Sequence, residues 1–408
     1  MNGPHLRRRL LYSGVLALGV LLLLEVFARL TMGLLASDQR FDFTPVHERH
    51  AEMKTMLREL LDSQGDALVL LDDDLGWVYR PGYRGELYSS NSIGARGTRE
   101  YSPKPADGTL RIAAFGDSFV HANELPDDES WSAQLEALDP RIEVLNFGVG
   151  GYGTDQALLS YERRGEEQEP QVVVLGFAEA DYARNVNRFR RFLAVHELPL
   201  FKPRFLLSGD SQEPLVLLRN AFPDADSMGI LLDDPDETRR SADRDWFFQP
   251  FVWSNPFYDS IGLVRLAASV ASDAWRTRLR PDGLYQNGAF NTDSEAFAVL
   301  IAIVDRFAAL AASRGQQFVL MIFPTRDEDI WRDGPKAYQP LLEAVDHRFT
   351  VLDLADPLRA DPAVTPGNLR KIVHYGPEAN RIVARAVLQL VIEHGWLPKP
   401  PSTADRGR

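Results

Sequence analysis

Ile112-Ala113-Ala114-Phe115-Gly116-Asp117-Ser118-Phe119 is the stretch from which the fold of this chain is read. Ile112 to Phe115 is an uninterrupted apolar run of strand length, and it stops at a Gly-Asp-Ser turn. Gly116 permits a sharp turn, which would place the Ser118 hydroxyl at the C-terminal end of a strand, where ligands bind in open α/β sheets. A helix starting at Phe119 would aim its free N-terminal amides at the same spot. Asp117 and Ser118 are also ordinary helix-capping residues, so the turn taken alone fits a cap as well as a site.

Outward from this run, short apolar strands alternate with helical stretches. Glu129 to Leu138 reads as a helix ended by Asp139-Pro140, and Ile142 to Phe147 as a second strand that closes on Gly148-Val149-Gly150-Gly151-Tyr152-Gly153. Gln156 to Arg164 reads as a helix and Val172 to Phe177 as a third strand. The pattern lapses between about 186 and 290, where only a helix near Ile261 to Arg276 is legible. It resumes with a helix over Ser294 to Ser313, strands over Phe318 to Phe323 and Phe349 to Leu354 with the helix Tyr338 to Val345 between them, and a last helix over Pro377 to His394. Continuous apolar strands alternating with helices predict an α/β protein whose parallel sheet is covered on both faces.

Composition narrows the function. The chain has 408 residues, 45% hydrophobic and 25% charged, with 58 acidic against 45 basic residues. That is the balance of a globular chain with a core. The net charge of -13 argues against nucleic acid as a partner, since phosphate binding needs a cationic face. The absence of cysteine excludes thiol catalysis, disulfides and cysteine metal sites.

The N-terminus reads as a membrane anchor. Arg7-Arg8-Arg9 precede the uncharged run Leu10 to Leu24, Glu25 and Arg29 interrupt it, and apolar sequence resumes through Leu34-Leu35-Ala36. With the interrupted part included the segment is long enough to span, and the arginines hold the N-terminus in the cytoplasm. A cleaved signal peptide shows the same order of charge and apolar residues, but Leu34-Leu35-Ala36 is a poor cleavage site. The expected division is a basic tip and anchor over 1–36, a stalk or short amphipathic helix over 37–72, one domain over 73–397 with an insertion at about 188–292, and a loose tail over 398–408. The expected location is the inner membrane, with the domain on the periplasmic or outer side.

Three blocks in order carry a family resemblance. Gly116-Asp117-Ser118-Phe119, the glycine block Asn146 to Gly153, and His374-Tyr375-Gly376-Pro377 before the last helix together resemble the SGNH/GDSL hydrolases. Leu75-Gly76-Trp77 and Arg80-Pro81-Gly82 look like the lead-in of membrane-anchored bacterial members. The resemblance implies a flavodoxin-like α/β/α sandwich, with Ser118 as nucleophile, His374 as base and Gly151 as a main-chain oxyanion donor. It implies no cofactor and no metal. Its implied substrates are esters, with acyl groups of an envelope or exported glycan as the class suggested by location. An O-acyltransferase of the same fold, or a degenerate glycan-binding or assembly subunit, are the alternative readings.

Two positions depart from the family pattern. Lys371 stands where an aspartate often orients the histidine, so either the site works as a Ser–His dyad or an acid from elsewhere steps in, with Asp353 and Asp356 after the preceding strand as candidates and a backbone carbonyl as a further way to orient the ring. Asp181 stands at the position of the family's asparagine, and an ionised carboxylate cannot donate to an oxyanion. Asn185 or Asn187 is then the candidate replacement amide. Elsewhere, His121 has no assigned role, and His47 and His50 read as solvated. The aromatic cluster Trp246 to Tyr258 reads first as packing, with a sugar- or acyl-binding wall as the sharper alternative.

Overall fold

In the computed structural model, residues 3–38, 41–210, 213–276, 280 and 282–398 are described. The tail expected to be loose lies outside these from residue 399 onward.

Five parallel strands form the central sheet: β1 (Leu110–Phe115), β2 (Ile142–Asn146), β3 (Val172–Ala178), β4 (Gln317–Phe323) and β5 (Thr350–Asp353). Their spatial order is β5-β4-β3-β1-β2, all pairs parallel. Read from the β2 edge this is 2-1-3-4-5, the flavodoxin-like order, as the resemblance implies. Successive strand residues face opposite sides. Ala113, Phe115, Leu145, Val173, Leu175, Phe177, Leu320 and Ile322 pack into one core cluster. Ile112, Ala114, Val144, Val172, Val174, Val319 and Met321 pack into the other. Helices Thr154–Arg164 and Glu295–Ser313 bury Leu158, Tyr161, Leu300 and Phe307 on the first face. Helices Trp131–Leu138 and Pro377–Glu393 bury Leu135, Val383 and Val387 on the second.

The region where the pattern lapses belongs to this same core. It contributes a hairpin, Arg204–Leu207 with Leu215–Leu218, and the helix Gly262–Ala274, close to where the sequence places one. Its aromatic side chains are mostly packing: Trp246, Phe247, Trp253 and Tyr258 are buried, whereas Phe251 and Phe257 are more than half exposed.

The segment read as a stalk is not free-standing. Helix Val46–Asp62 buries Met53, Leu57 and Leu60 in the first core cluster. His47 Nδ1 lies 3.0 Å from the Asp259 carboxylate of the insertion, and the His50 ring packs 5.8 Å from that of Trp253. Apolar residues at helical spacing on a polar helix needed a surface to cover, and the insertion supplies part of it. A second hairpin, Val69–Asp72 with Gly76–Tyr79, reaches the glycine block. Trp77 Nε1 donates to Gly150 O at 3.0 Å, and Gly150 N donates to the Tyr79 hydroxyl at 3.0 Å.

The glycine block must approach the Ser118 turn closely. A Cβ at Gly148 would sit 2.4 Å from the His121 amide nitrogen and 2.9 Å from Asp117 O, so the backbone itself would have to shift. Gly148→Ala is expected to destabilise the protein by about 1–3 kcal/mol, as overpacking does. Gly229→Ala, in the helix Ala225–Asp233 with nothing within 4 Å of the added methyl, is expected to be neutral or slightly stabilising. Urea-unfolding midpoints of the two variants check the contrast.

Candidate active site

Ser118 opens a one-turn helix, Ser118–His121, directly after β1, and Asp117 caps it by accepting the Phe119 N–H at 2.8 Å. The turn is held from two sides: Trp131 Nε1 and Asn146 Nδ2 both donate to Val120 O, at 2.7 Å each. Ser118 is 5% exposed. His374 comes from the loop ahead of the last helix. Gly376 N donates to Leu369 O at 2.8 Å within that loop, and Tyr375 Oη donates to Pro324 O at 2.7 Å just beyond β4.

The two elements bring His374 Nε2 within 2.7 Å of Ser118 Oγ. On the other side of the ring, His374 Nδ1 lies 2.7 Å from Glu124 Oε1. With a carboxylate at Nδ1, the hydrogen-bond network assigns the ring proton there and leaves the Nε2 lone pair facing the serine hydroxyl. Glu124 also accepts from the main-chain N–H groups of Ile372 at 2.9 Å, Val373 at 3.2 Å and His374 at 3.3 Å. Burial works against its ionisation, but the His374 hydrogen bond and these amides prevail and hold its carboxyl below the usual range.

Glu124 is the residue the sequence analysis missed. It lies six positions after Ser118, just beyond the same turn, and not in the segment shortly before the histidine where the family's acid stands. The available signal is conformational: Ala122 and Glu124 have φ of 61° and 73°, a left-handed region that side chains other than glycine's seldom adopt. Such strain persists where the surroundings enforce it, typically at functional sites.

Asp353 is corrected accordingly. It accepts from Lys336 Nζ at 2.6 Å, Tyr338 Oη at 2.9 Å and Ala355 N at 3.0 Å. β5 is the edge strand, with β4 and β3 between it and β1, so its carboxylate serves its own corner. Asp356 is a surface group, its side chain 80% exposed. Asn185 is corrected too. Its Nδ2 donates to Thr154 Oγ1 at 2.7 Å and its Oδ1 accepts from Asp155 N at 3.3 Å, which commits the amide to the start of helix Thr154–Arg164. Asn187 donates to Phe189 O at 2.7 Å and to Asp245 at 3.1 Å.

Asp181 accepts from Ala178 N at 3.0 Å and Arg184 Nη1 at 2.9 Å. Burial, and then the charge of Asp117, push its pKa well up, with Arg184 acting against them. Arg184 Nη1 also donates to Asp117 at 3.0 Å and Tyr152 O at 3.1 Å. His121 is buried beside the site, and desolvation followed by the Arg96 charge presses its pKa well down, so it stays neutral.

Ser118 and His374 open on a cavity of about 360 Å³ shared with Gly151, Asn123, Arg184 and Arg190. Gly151 takes a φ of 81°. Asn123 Oδ1 lies 2.6 Å from His121 Nδ1, and its Nδ2 would lie 3.3 Å from a Cβ on Gly150, which puts a side-chain amide against the glycine block. Among the described residues, no group of three or more His, Cys, Asp or Glu is placed to hold a metal ion.

No family model matches the chain, and no curated protein matches it. Solved structures do. A G-D-S-L family lipolytic protein from Desulfitobacterium hafniense is 13% identical, with 69% of this chain and 99% of that one covered at a TM-score of 0.33. A second, from Veillonella parvula, is 11% identical, covering 70% and 99% at 0.34. A psychrotrophic esterase from Pseudoalteromonas is 13% identical, covering 70% and 97% at 0.32.

Glu124 generates a pH prediction. Because its folded pKa lies below the ordinary value of 4.5, its stabilisation of the histidine loop is fully present above that value. It is lost as pH falls through the lower folded value. Amide exchange at Ile372 and Val373 is expected to accelerate as pH drops below that point, after correction for intrinsic rates. In Glu124→Gln the two amides are expected to exchange faster at neutral pH, with no such step.

Proposed function

We propose that this chain is a serine ester hydrolase of the SGNH/GDSL type, held at a membrane by its N-terminal helix with the domain outside the cytoplasm. The observation that carries the reading is the continuous Ser118–His374–Glu124 line, 2.7 Å at each contact. In the first step His374 Nε2 takes the hydroxyl proton as Ser118 Oγ attacks the ester carbonyl, and Glu124 stabilises the imidazolium. The oxyanion is met by the Gly151 N–H and the Asn123 amide, which replaces the donor lost at Asp181. His374 then protonates the leaving alcohol. Water, activated by the same ring, releases the acyl group from Ser118.

The anchor reading is supported by the helix Gly3–Leu35, in which Arg7–Leu35 is long and apolar enough to cross a bilayer, with none of its apolar window buried. Glu295–Ser313 has similar composition, but 56% of its window is buried, as a core helix requires. An extracytoplasmic location suits acyl groups on envelope or exported glycans.

The full-length protein in detergent is expected to hydrolyse an aryl acetate and to label with a fluorophosphonate. Ser118→Ala and His374→Ala are expected to lose both reactions, and Glu124→Gln to lose on the order of 10⁴-fold in kcat. Asn123→Ala is expected to lose about 100- to 1,000-fold in kcat with little change in KM. A parent protein that neither labels nor turns over under any ester would overturn the reading. Product analysis with a glycan acceptor separates hydrolysis from acyl transfer.

A further inference from the structure

Helix Gly262–Ala274 is built inside out for a soluble domain. Its polar side chains point inward: Arg265 donates to Asp259 O at 2.6 Å and Tyr258 O at 3.1 Å. Ser269 Oγ lies 3.1 Å from Tyr258 Oη and donates to Asp42 O at 3.3 Å, and Ser272 is 3% exposed. The outward face is Ala267, Val270 and Ala271, continued by Trp275, all exposed and none charged. Val270 and Trp275 are 43% and 48% exposed. A surface helix of a globular protein carries the opposite arrangement.

The neighbour of this helix explains the inversion. The anchor helix packs along it, and the Glu25 carboxylate accepts from Gly262 N at 2.8 Å and Leu263 N at 2.9 Å. An acid inside an apolar segment is thereby satisfied as the N-terminal cap of another helix. A Cβ at Gly262 would fall 2.8 Å from Glu25 Oε1 and 3.1 Å from Arg29 Cγ, so a side chain there would displace the Glu25 carboxylate. Ala28 and Met32 are buried, while Phe27, Leu30 and Leu34 stay exposed, as expected of a helix docked on one side and bare on the other.

Length decides how deep the contact lies. The uncharged run Leu10 to Leu24 is about 22 Å long at 1.5 Å per residue, short of the roughly 30 Å hydrocarbon core. Apolar surface must therefore reach past Glu25 toward Leu34, alongside the Gly262 helix. We propose that helix Gly262–Ala274 is a second membrane element, seated in the outer leaflet beside the anchor with Val270 and Trp275 in contact with lipid. The proposal rests on the reading of Arg7–Leu35 as a retained span. The occupant of the apolar face is the bilayer because the helix that carries it lies against the anchor, whose own Phe27, Leu30 and Leu34 are exposed. The domain is then fixed against the membrane and does not swing on a tether.

The chain has no cysteine, so single labels are straightforward. Val270→Cys and, as a second position, Ala267→Cys in the full-length protein would be labelled with an environment-sensitive fluorophore and placed in nanodiscs at one copy per disc. Lys104→Cys, whose lysine side chain is 77% exposed, serves as the solvent control. The expected result is blue-shifted emission at 267 and 270, quenched several-fold more by lipids carrying a brominated acyl chain than at 104, with fluorophosphonate labelling retained. Water-like emission at both positions in protein that resists alkaline carbonate extraction would overturn the proposal while leaving the anchor intact. Extraction by carbonate would overturn the span itself. Burial of the probe only in discs holding two copies would assign the face to a second chain and overturn the lipid assignment.

Discussion

The Glu124 carboxylate joins the two ends of the α/β domain. It gathers the N–H groups of Ile372, Val373 and His374 together with the imidazole N–H, so one side chain sets both the path of the loop and the tautomer of the ring. Without it, the loop carrying His374 would keep its ties through Leu369, Arg370 and Tyr375 but lose the contact that orients the ring. The partner surface is rigid because the Ser118 turn is clasped by Trp131 and Asn146, and Trp131 N in turn donates to Asn380 Oδ1 of the last helix at 3.1 Å. Ser118 and His374 are thus fixed relative to each other through two routes, one polar and exposed at its edge, the other buried.

Much of this was legible in the residues. Apolar runs such as Ile112–Phe115 and Val172–Phe177 announce strands buried on both faces, and their alternation with helices announces the parallel sheet. Ser118 and His374 were found because strand-turn-helix geometry and block order constrain them. Glu124 was not, because what makes it the acid is a contact across 250 residues, and no local periodicity encodes that approach. Asp353 looked suitable at a strand end, but Lys336 and Tyr338, also distant in sequence, had already claimed it.

The insertion was illegible for a related reason. Its helices and hairpins are short, and long-range packing holds them in place. Asp245 alone accepts the main-chain N–H groups of Arg188 and Phe189 at 2.7 and 2.8 Å. The segment that follows joins distant parts of the molecule. Arg190 and Glu197 line the Ser118 cavity, while Arg191 pairs with Glu52 on helix Val46–Asp62 at 2.7 Å. The N-terminal segment, the insertion and the site therefore share one framework, which is why residues 46–62 fold onto the domain instead of forming a spacer.

The order of the site along the chain bears on when Ser118 and His374 can meet. Ser118 and Glu124 emerge from the ribosome early, six residues apart, whereas His374 follows some 250 residues later. Until that last portion has been made and Pro377–Glu393 has docked, Ser118 is an ordinary alcohol beside a carboxylate that has nothing to orient. On the proposed function, a nascent chain that has not yet docked Pro377–Glu393 carries no activated hydroxyl, and chemistry begins only once His374 reaches Ser118.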